Sequence, residues 1–220
     1  MSTQNPDPAA PGRGARPLRR RLLDEAARVL AEEGPGALSA RRLVRAVGAS
    51  TMAVYTHFGS MPELVREVMK EGVERFLARV REVPPDADPV RELAGLCRAY
   101  QEFARAEPHV YAVLFGGSAL AGFELSETDR SMGVALLRFP RDAIRRCAGA
   151  GRFHADTDAD LLVRQLFAQM HGLAQLTRAG YILGRYGPDD VLAGLLRDLA
   201  VAAGDNPTQA TTSVRSGLAG

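Results

Sequence analysis

The chain has 220 residues, of which 46% are hydrophobic and 25% are charged. These proportions are ordinary for a water-soluble globular protein and exclude a fibrous repeat or a chain that is disordered throughout. The formal net charge of +2 hides an asymmetry, because residues 13–62 carry a net charge of +5 and the remainder carries −3. The N-terminal part therefore suits a polyanionic partner, although arginines on a solvated helix face would give the same count.

The sequence also indicates where the protein works. It contains no apolar run of about 18 residues, and its basic N-terminus lacks the apolar segment of a signal peptide. Its cysteines, Cys97 and Cys147, have neither CxxC spacing nor the number needed for a disulfide framework, so we expect two buried thiols. These features predict a cytoplasmic protein without a membrane segment.

Helical periodicity dominates the chain, and no sustained two-residue alternation indicates a strand. Gly, Pro and N-cap residues fall where helices would begin and end. Nine helices are predicted, at about 17–33, 40–47 and 51–57, from Ser60 to Pro84, after Pro89, after Pro108, and at about 127–148, 157–180 and 188–203. The terminal segments, residues 1–15 and 205–220, lack apolar periodicity and are predicted to be disordered tails.

Local chemistry marks several helix ends. Ser39, Ser50 and Ser60 are predicted N-caps, and Glu63, three residues after Ser60, completes the pattern of a capping box. Pro140 removes a backbone donor, so it is expected to break or kink the helix over 127–148.

The second and third predicted helices are too short to be stable alone, since isolated helices need about 12 to 15 residues. Joined by Gly48-Ala49-Ser50 and braced by their neighbours, they would form a helix-turn-helix. Val54 and Phe58 are predicted to face inward, with Met52 partly buried. The outward residues are predicted to be Thr51, Ala53, Tyr55, Thr56 and His57.

This outward set fits the surface of duplex DNA. Ala53 and the threonine methyl groups suit thymine methyls, whereas Tyr55 and His57 suit phosphates. The helix N-termini at Ser39 and Ser60 would add backbone N–H donors for an anion. The alternative is that Tyr55 and His57 only close a small three-helix core.

The segment LSARRLVRAVGASTMAVYTHFGSMPELV resembles the DNA-binding segment of TetR/AcrR-family transcriptional regulators. The shared features are the Leu-Ser start of the second helix, the Gly-x-Ser turn, the Tyr-x-His-Phe ending and the Gly-Ser cap, and the likeness covers residues 17–65. Where that family commonly has a phosphate-binding lysine, this chain has Met61. Affinity would then depend more on Arg42 and on the basic residues 16–21, for which a solvated helix face is the alternative. The predicted DNA-binding residues are Arg16, Arg19, Ser39, Arg42, Ser50, Thr51, Ala53, Tyr55, Thr56 and His57.

A second segment, QLFAQMHGLAQLTRAGY, resembles helix 8 of a TetR subgroup with a Trp-His-Gly signature, with Met170 in place of the tryptophan. The resemblance implies a homodimer joined through helices 8 and 9. The predicted interface residues are Leu166, Leu173, Leu192, Leu195 and Leu199. A pocket for an apolar small molecule is predicted between the helices, and its candidate residues are Tyr100, Phe103, Tyr111, Phe115, Phe167 and His171. The alternative is that these aromatic residues and His171 are ordinary core.

The sequence thus predicts an all-α protein, with a three-helix DNA-binding domain over residues 16–62 and a helical ligand-binding and dimerisation domain over 63–204. The expected function is a ligand-responsive transcriptional regulator, a repressor, that binds a near-palindromic operator as a homodimer and is released by a small apolar effector. No cofactor or metal is predicted, because the acids at 156, 158 and 160 lack the Gly and Glu of a calcium loop. They are explained as first-turn helix acids.

The sequence is also compatible with two other functions. A helical enzyme could use His171 as a general base in an apolar pocket. A helical dimer that binds partner proteins and has lost DNA binding is suggested by Met61.

Overall fold

The computed structural model describes residues 17–115, 131 and 135–220. These residues form an all-helical structure, as the sequence predicts, and none of them lies in a strand. The helices are α1 (Leu18–Glu33), α2 (Ala40–Val47), α3 (Thr51–Phe58), α4 (Met61–Arg81), α5 (Pro89–Ala106), α6 (Pro108–Phe115), α7 (Arg138–Gly149), α8 (Ala159–Arg178), α9 (Pro188–Ala202) and α10 (Pro207–Ala219). The predicted tail at residues 1–15 lies outside the described residues.

Helix α10 occupies most of the segment predicted to be a C-terminal tail, and that prediction is wrong. Asn206 caps α10 by accepting hydrogen bonds from the backbone N–H groups of Thr208 at 3.0 Å and Gln209 at 3.2 Å. The helix packs closely on α5: a Cβ atom at Gly217 would lie only 2.2 Å from the carbonyl oxygen of Arg91. The buried face of α10 consists of small residues, which explains why its sequence lacks strong apolar periodicity.

An ion cluster fixes α10 to the start of α5. The guanidinium of Arg152 donates to both carboxylate oxygens of Asp205 at 2.7 Å and to Asp88 at 2.8 Å. The Ser213 hydroxyl, on α10, donates to the other oxygen of Asp88 at 2.5 Å. Burial acts to raise the pKa of Asp88, but the hydrogen bonds from Ser213 and the backbone of Arg91, with the charge of Arg152, lower it below its usual value.

Helix α7 begins two residues before Pro140, after a turn at residues 136–137. A proline in the first turn costs no helical hydrogen bond, because the N–H groups there have no intrahelical acceptor. The described part of the predicted 127–148 helix is therefore broken near Pro140, as expected.

Helices α1 to α3 form the N-terminal domain, with α4 packed against them. Ser39 accepts a hydrogen bond from the backbone of Arg42 at 3.4 Å, and Ser60 accepts one from Glu63 at 3.2 Å, so both act as N-caps. The Glu63 carboxylate pairs with Arg66, and only half of the predicted capping box is formed. Ser50 occupies the N-cap position of α3, as predicted, but its side chain makes no capping hydrogen bond.

Helix α6 connects the N-terminal domain with the helices behind it. It packs on α1 and on α4, where a Cβ at Gly72 would lie 2.8 Å from Val110. At the same junction, the largely buried guanidinium of Arg75 on α4 contacts Asp24 of α1 at 2.7 Å and Glu107, which precedes α6, at 3.2 Å. No helix among the described residues is both long and apolar enough to cross a membrane.

Candidate DNA-binding surface and C-terminal cavity

Helix α3 has one buried side and one broad exposed side. Val54 and Phe58 are buried against the N-terminal core, as predicted. Successive side chains of an α-helix are rotated by about 100° around the helix axis, so Met52 and Thr56 lie on the side of α3 opposite Val54 and Phe58. Met52 is 67% exposed, so the prediction that it is partly buried is wrong. Sequence reasoning missed it because an apolar residue in a short helix looks like core.

The other predicted residues of α3 lie on or beside this exposed side. Tyr55 is 48% exposed, Thr51, Thr56 and His57 are exposed, and Ala53 is partly exposed. Tyr55 and His57 therefore do not close the core, and that alternative fails. The exposed side of α3 presents methyl groups, hydroxyls, a thioether and an imidazole.

The basic residues lie on α1 and α2 beside α3. On α1, Arg19 pairs with Glu67 and Arg21 donates to the carbonyl oxygen of Val47 at 2.6 Å. On α2, Arg42 pairs with Glu33. These three arginines thus have protein partners in the structure. Arg16 lies outside the described residues.

Two further arginines of α2, Arg41 and Arg45, are exposed and have no ion-pair partner among the described residues. Sequence reasoning counted their charge but did not place them in the site. Helical spacing could have done so, because Arg41 and Arg45 are four residues apart and share a face opposite the buried Leu43 and Val47. They extend the basic surface next to α3.

Met61, at the position of the usual lysine, is the first residue of α4 and packs partly buried against the core. It supplies no charge. In the first turn of α4, Pro62 has no N–H group and the Glu63 N–H donates to Ser60, so the N–H of Met61 is the one left to bind an anion.

A small apolar cavity of about 50 Å³ lies between α4, α5, α6, α7 and α8. Of the predicted pocket residues, Tyr100, Phe115 and Phe167 line it, whereas Phe103, Tyr111 and His171 do not. No charged side chain is among its described lining residues. Residues that sequence reasoning did not assign to it are Phe76 and Val80 of α4, Leu96 and Cys97 of α5, Leu136, Leu137, Phe139 and Pro140 before and within α7, and Val163, Leu166 and Met170 of α8.

Behind the cavity wall, three side chains form a hydrogen-bonded chain. The hydroxyls of Tyr100 and Tyr111 are 2.9 Å apart, and the Tyr111 hydroxyl lies 2.7 Å from Nδ1 of His171. Gln175 lies 3.5 Å from the other ring nitrogen. Burial lowers the pKa of His171, which favours the neutral imidazole. His171 is thus a satisfied, half-buried residue, consistent with the core alternative.

Both cysteines are buried and free, as predicted. Burial raises the pKa of Cys97 and of Cys147 to about 12 in each case. Each therefore stays a protonated thiol at neutral pH.

The predicted dimer residues do not form an external face. Leu166, Leu173, Leu192 and Leu199 are at most 7% exposed within a single chain, which contradicts their placement at an interface, and only Leu195 is partly exposed. The outer surface of α8 and α9 is an open groove, and of the five predicted residues only Leu195 and Leu199 are among those that line it. Its lining includes Leu161, Gln165, Ala168 and Gln169 of α8 and Leu195, Asp198 and Ala202 of α9.

Two of the three acids at the start of α8, Asp158 and Asp160, have a structural explanation. Asp158 caps α8 by accepting bonds from the backbone N–H groups of Asp160 and Leu161, both at 3.0 Å. The Asp160 carboxylate lies near Arg141 and Arg145 of α7. This agrees with the prediction that first-turn acids stabilise the helix.

Comparison with known protein families matches both parts of the chain. Residues 22–68 match the model described as bacterial regulatory proteins, tetR family, and residues 93–199 match the tetracyclin repressor-like C-terminal domain.

Two relatives are HTH-type transcriptional repressors called KstR2. The protein from Mycolicibacterium smegmatis is 29% identical over 167 residues, which cover 70% of this chain and 78% of that protein. The protein from Mycobacterium tuberculosis is 30% identical over 153 residues, covering 65% of this chain and 72% of that protein.

Solved structures show the same fold. A protein of unknown function from Rhodococcus sp. RHA1 superposes with a TM-score of 0.70 and 25% identity, over 86% of this chain and 97% of that one. The KstR2 structure from M. tuberculosis superposes with a TM-score of 0.66 and 24% identity, over 86% and 95%.

Proposed function

Because the chain belongs to the TetR family of transcriptional regulators, we propose that it is a repressor that binds a near-palindromic operator as a homodimer and is released by a small apolar effector. The observation that carries this proposal is the exposed side of α3. In this two-turn helix only Val54 and Phe58 are buried, and the other side chains are at least partly exposed to solvent. A helix of this form can lie in the major groove of DNA and contact the bases.

The surroundings of α3 supply the contacts that hold a helix in the major groove. At the N-terminus of α2 the backbone N–H groups of Ala40 and Arg41 can reach a phosphate, and at the N-terminus of α4 that of Met61 can, because the N–H groups of Arg42 and Glu63 already donate to the capping serines. Arg41 and Arg45 add charges that no acidic side chain in the described chain neutralises. Phosphate contacts of this kind fix the register of the protein on DNA, and α3 reads the bases.

We assign dimerisation to the outer groove of α8 and α9 rather than to the buried leucines. Leu161 is 54% exposed and Leu176 is 47% exposed, at the two ends of the outer side of α8. The exposed Ala168 lies between them and permits close approach of a second helix. The proposal requires that a twofold axis at this groove set the two recognition helices about 34–36 Å apart, one turn of DNA.

The effector is assigned to the apolar cavity. At about 50 Å³ the cavity is smaller than most ligands, so an effector must displace lining side chains. Two of these, Phe76 and Val80, belong to α4, whose first turn follows α3 directly. Displacing α4 would change the spacing of the two α3 helices, and a coupling of ~1–3 kcal/mol would give about 5- to 150-fold regulation.

The DNA-binding part is tested with duplexes enriched from a random library by the full-length protein. Thr56→Glu places a negative charge on the groove side of α3, and we expect it to abolish binding by repulsion from phosphates. The matched control is Thr212→Glu on the exposed side of α10, which should bind like the parent. No enrichment of any duplex, or equal binding by both variants, would contradict the assignment.

The effector part is tested with uncharged apolar compounds that dissociate the protein from its duplex. Leu96→Phe adds bulk inside the cavity and is expected to weaken their action, whereas Leu183→Phe adds the same bulk on an exposed loop and should not. Compounds that act equally on both variants would show that the effector binds elsewhere.

A further inference from the structure

We propose that Met52 determines operator specificity by contacting thymine methyl groups, so that the bases beneath α3 in each half-site are read through thymine. This inference rests on the function proposed above and goes beyond it, because it assigns the reading residue and the chemical group that is read. The argument combines the position of Met52, the chemistry of the major groove and the composition of α3.

Met52 has the most exposed large apolar side chain of α3, at 67%. It lies in the first turn and on the side opposite Val54 and Phe58, one helical turn from Thr56. In helix-turn-helix proteins, residues near the N-terminus of the recognition helix contact the base edges. Met52 therefore points toward the bases when α3 enters the groove.

An apolar side chain has one good partner in the major groove. Base edges there present N7, O6, O4 and amino groups, which are polar, and the thymine C5-methyl, which is apolar. A thioether is only a weak hydrogen-bond acceptor, so Met52 gains little from the polar edges. Its unbranched, flexible chain can adapt to the methyl surface and bury it.

The other side chains of α3 are poorly suited to recognise bases by paired hydrogen bonds, so apolar contacts gain importance. The helix, TMAVYTHF, contains no Arg, Lys, Asn or Gln, the residues that pair bidentately with guanine or adenine. Its hydroxyls can form single hydrogen bonds, and His57 lies in the last turn, away from the N-terminal end. The described arginines of the N-terminal domain lie on α1 and α2, not on α3.

Thymine-to-uracil replacement tests the proposal, because it removes one methyl group and keeps base pairing. A duplex selected by the full-length protein is scanned one thymine at a time, and affinity is measured by fluorescence anisotropy. We expect one or two sensitive thymines in each half-site, at positions that the twofold axis relates to each other. Uracil at any one of them should weaken binding about fourfold, the effect of one buried methyl group. Uracil elsewhere should have little effect.

Variants then connect this loss to one side chain. Met52→Ala should weaken binding to the thymine duplex and remove the thymine–uracil difference at those positions, whereas Met52→Leu should keep much of it. Leu183→Ala, a similar truncation at an exposed loop residue, is the control and should behave like the parent. Circular dichroism should show unchanged folding, since Met52 is largely exposed.

Two results would overturn the inference while leaving the proposed function intact: selected duplexes that tolerate uracil at every thymine, or a Met52→Ala variant that retains the thymine–uracil difference. A protein that enriches no duplex at all would instead remove the proposed function, and the inference with it.

Discussion

The ion cluster beneath α10 gives a stability prediction whose size can be worked out. Arg152→Met keeps most of the side-chain length but removes the charge. It leaves Asp205, whose side chain is 1% exposed, and Asp88, whose side chain is 29% exposed, as neighbouring carboxylates without their cation. Removing one partner of a buried ion pair costs about 3–5 kcal/mol, because the remaining charge stays desolvated.

That cost converts to a melting temperature. For a domain of about 150–250 residues, 1 kcal/mol shifts Tm by about 2–4 °C, so we expect Arg152→Met to lower Tm by about 6–20 °C. Thermal unfolding followed by circular dichroism at pH 7 measures the shift, with both proteins at the same concentration because association also changes Tm.

The matched control is Arg197→Met. Arg197 is exposed and pairs only with its neighbour Asp198, itself exposed, so its loss should change stability by less than about 0.5 kcal/mol. A Tm difference of 2 °C corresponds to about 1 kcal/mol or less in the free energy of unfolding. If the Tm of Arg152→Met lies within 2 °C of the Tm of Arg197→Met, the reasoning that this cluster fixes α10 to α5 is refuted.

Three further predictions concern DNA binding and pH. Tyr55→Ala should weaken binding about 30-fold on every duplex without changing the salt dependence, since it removes a neutral hydrogen bond worth ~1 kcal/mol from each of the two half-sites; unchanged affinity would exclude the phosphate contact. Arg45→Ala removes one charge from each of two half-sites and should reduce the slope of log affinity against log salt by about 1.8, and an unaltered slope in anisotropy titrations would place Arg45 off the phosphates. Burial lowers the pKa of His171 below its unfolded value, so its contribution to stability is complete above about pH 6.5 and is lost as the pH falls below it. Denaturant unfolding of His171→Gln should therefore vary less between about pH 7 and 5 than that of the parent, and equally steep curves would contradict this.

The N-terminal domain was predictable because its signals are local. The spacing of Val54 and Phe58 identified the buried side of α3, and Gly48 ended α2 in the left-handed conformation that glycine favours. Periodicity could not place Met52, because a two-turn helix offers too few residues to separate a core methionine from an exposed one.

In the rest of the protein, features that depend on packing between distant segments could not be predicted from the sequence. Helix α10 packs on α5 through small residues such as Ala210 and Gly217, which carry little apolar signal. The leucines assigned to the dimer follow helical spacing equally well on an inner or an outer side. The pairing of Arg42 with Glu33 joins two helices, and no spacing rule within one helix reveals it.

Hydroxyl-radical footprinting of the full-length protein on its selected duplex tests the central claim most directly. If the two α3 helices of a dimer lie in major grooves on one face of the DNA, we expect two protected segments on that face. Their centres should be separated by about 10–10.5 base pairs, or by a whole multiple of that distance. A single protected segment, a separation that is not a whole number of turns, or an unchanged cleavage pattern at saturating protein would contradict it.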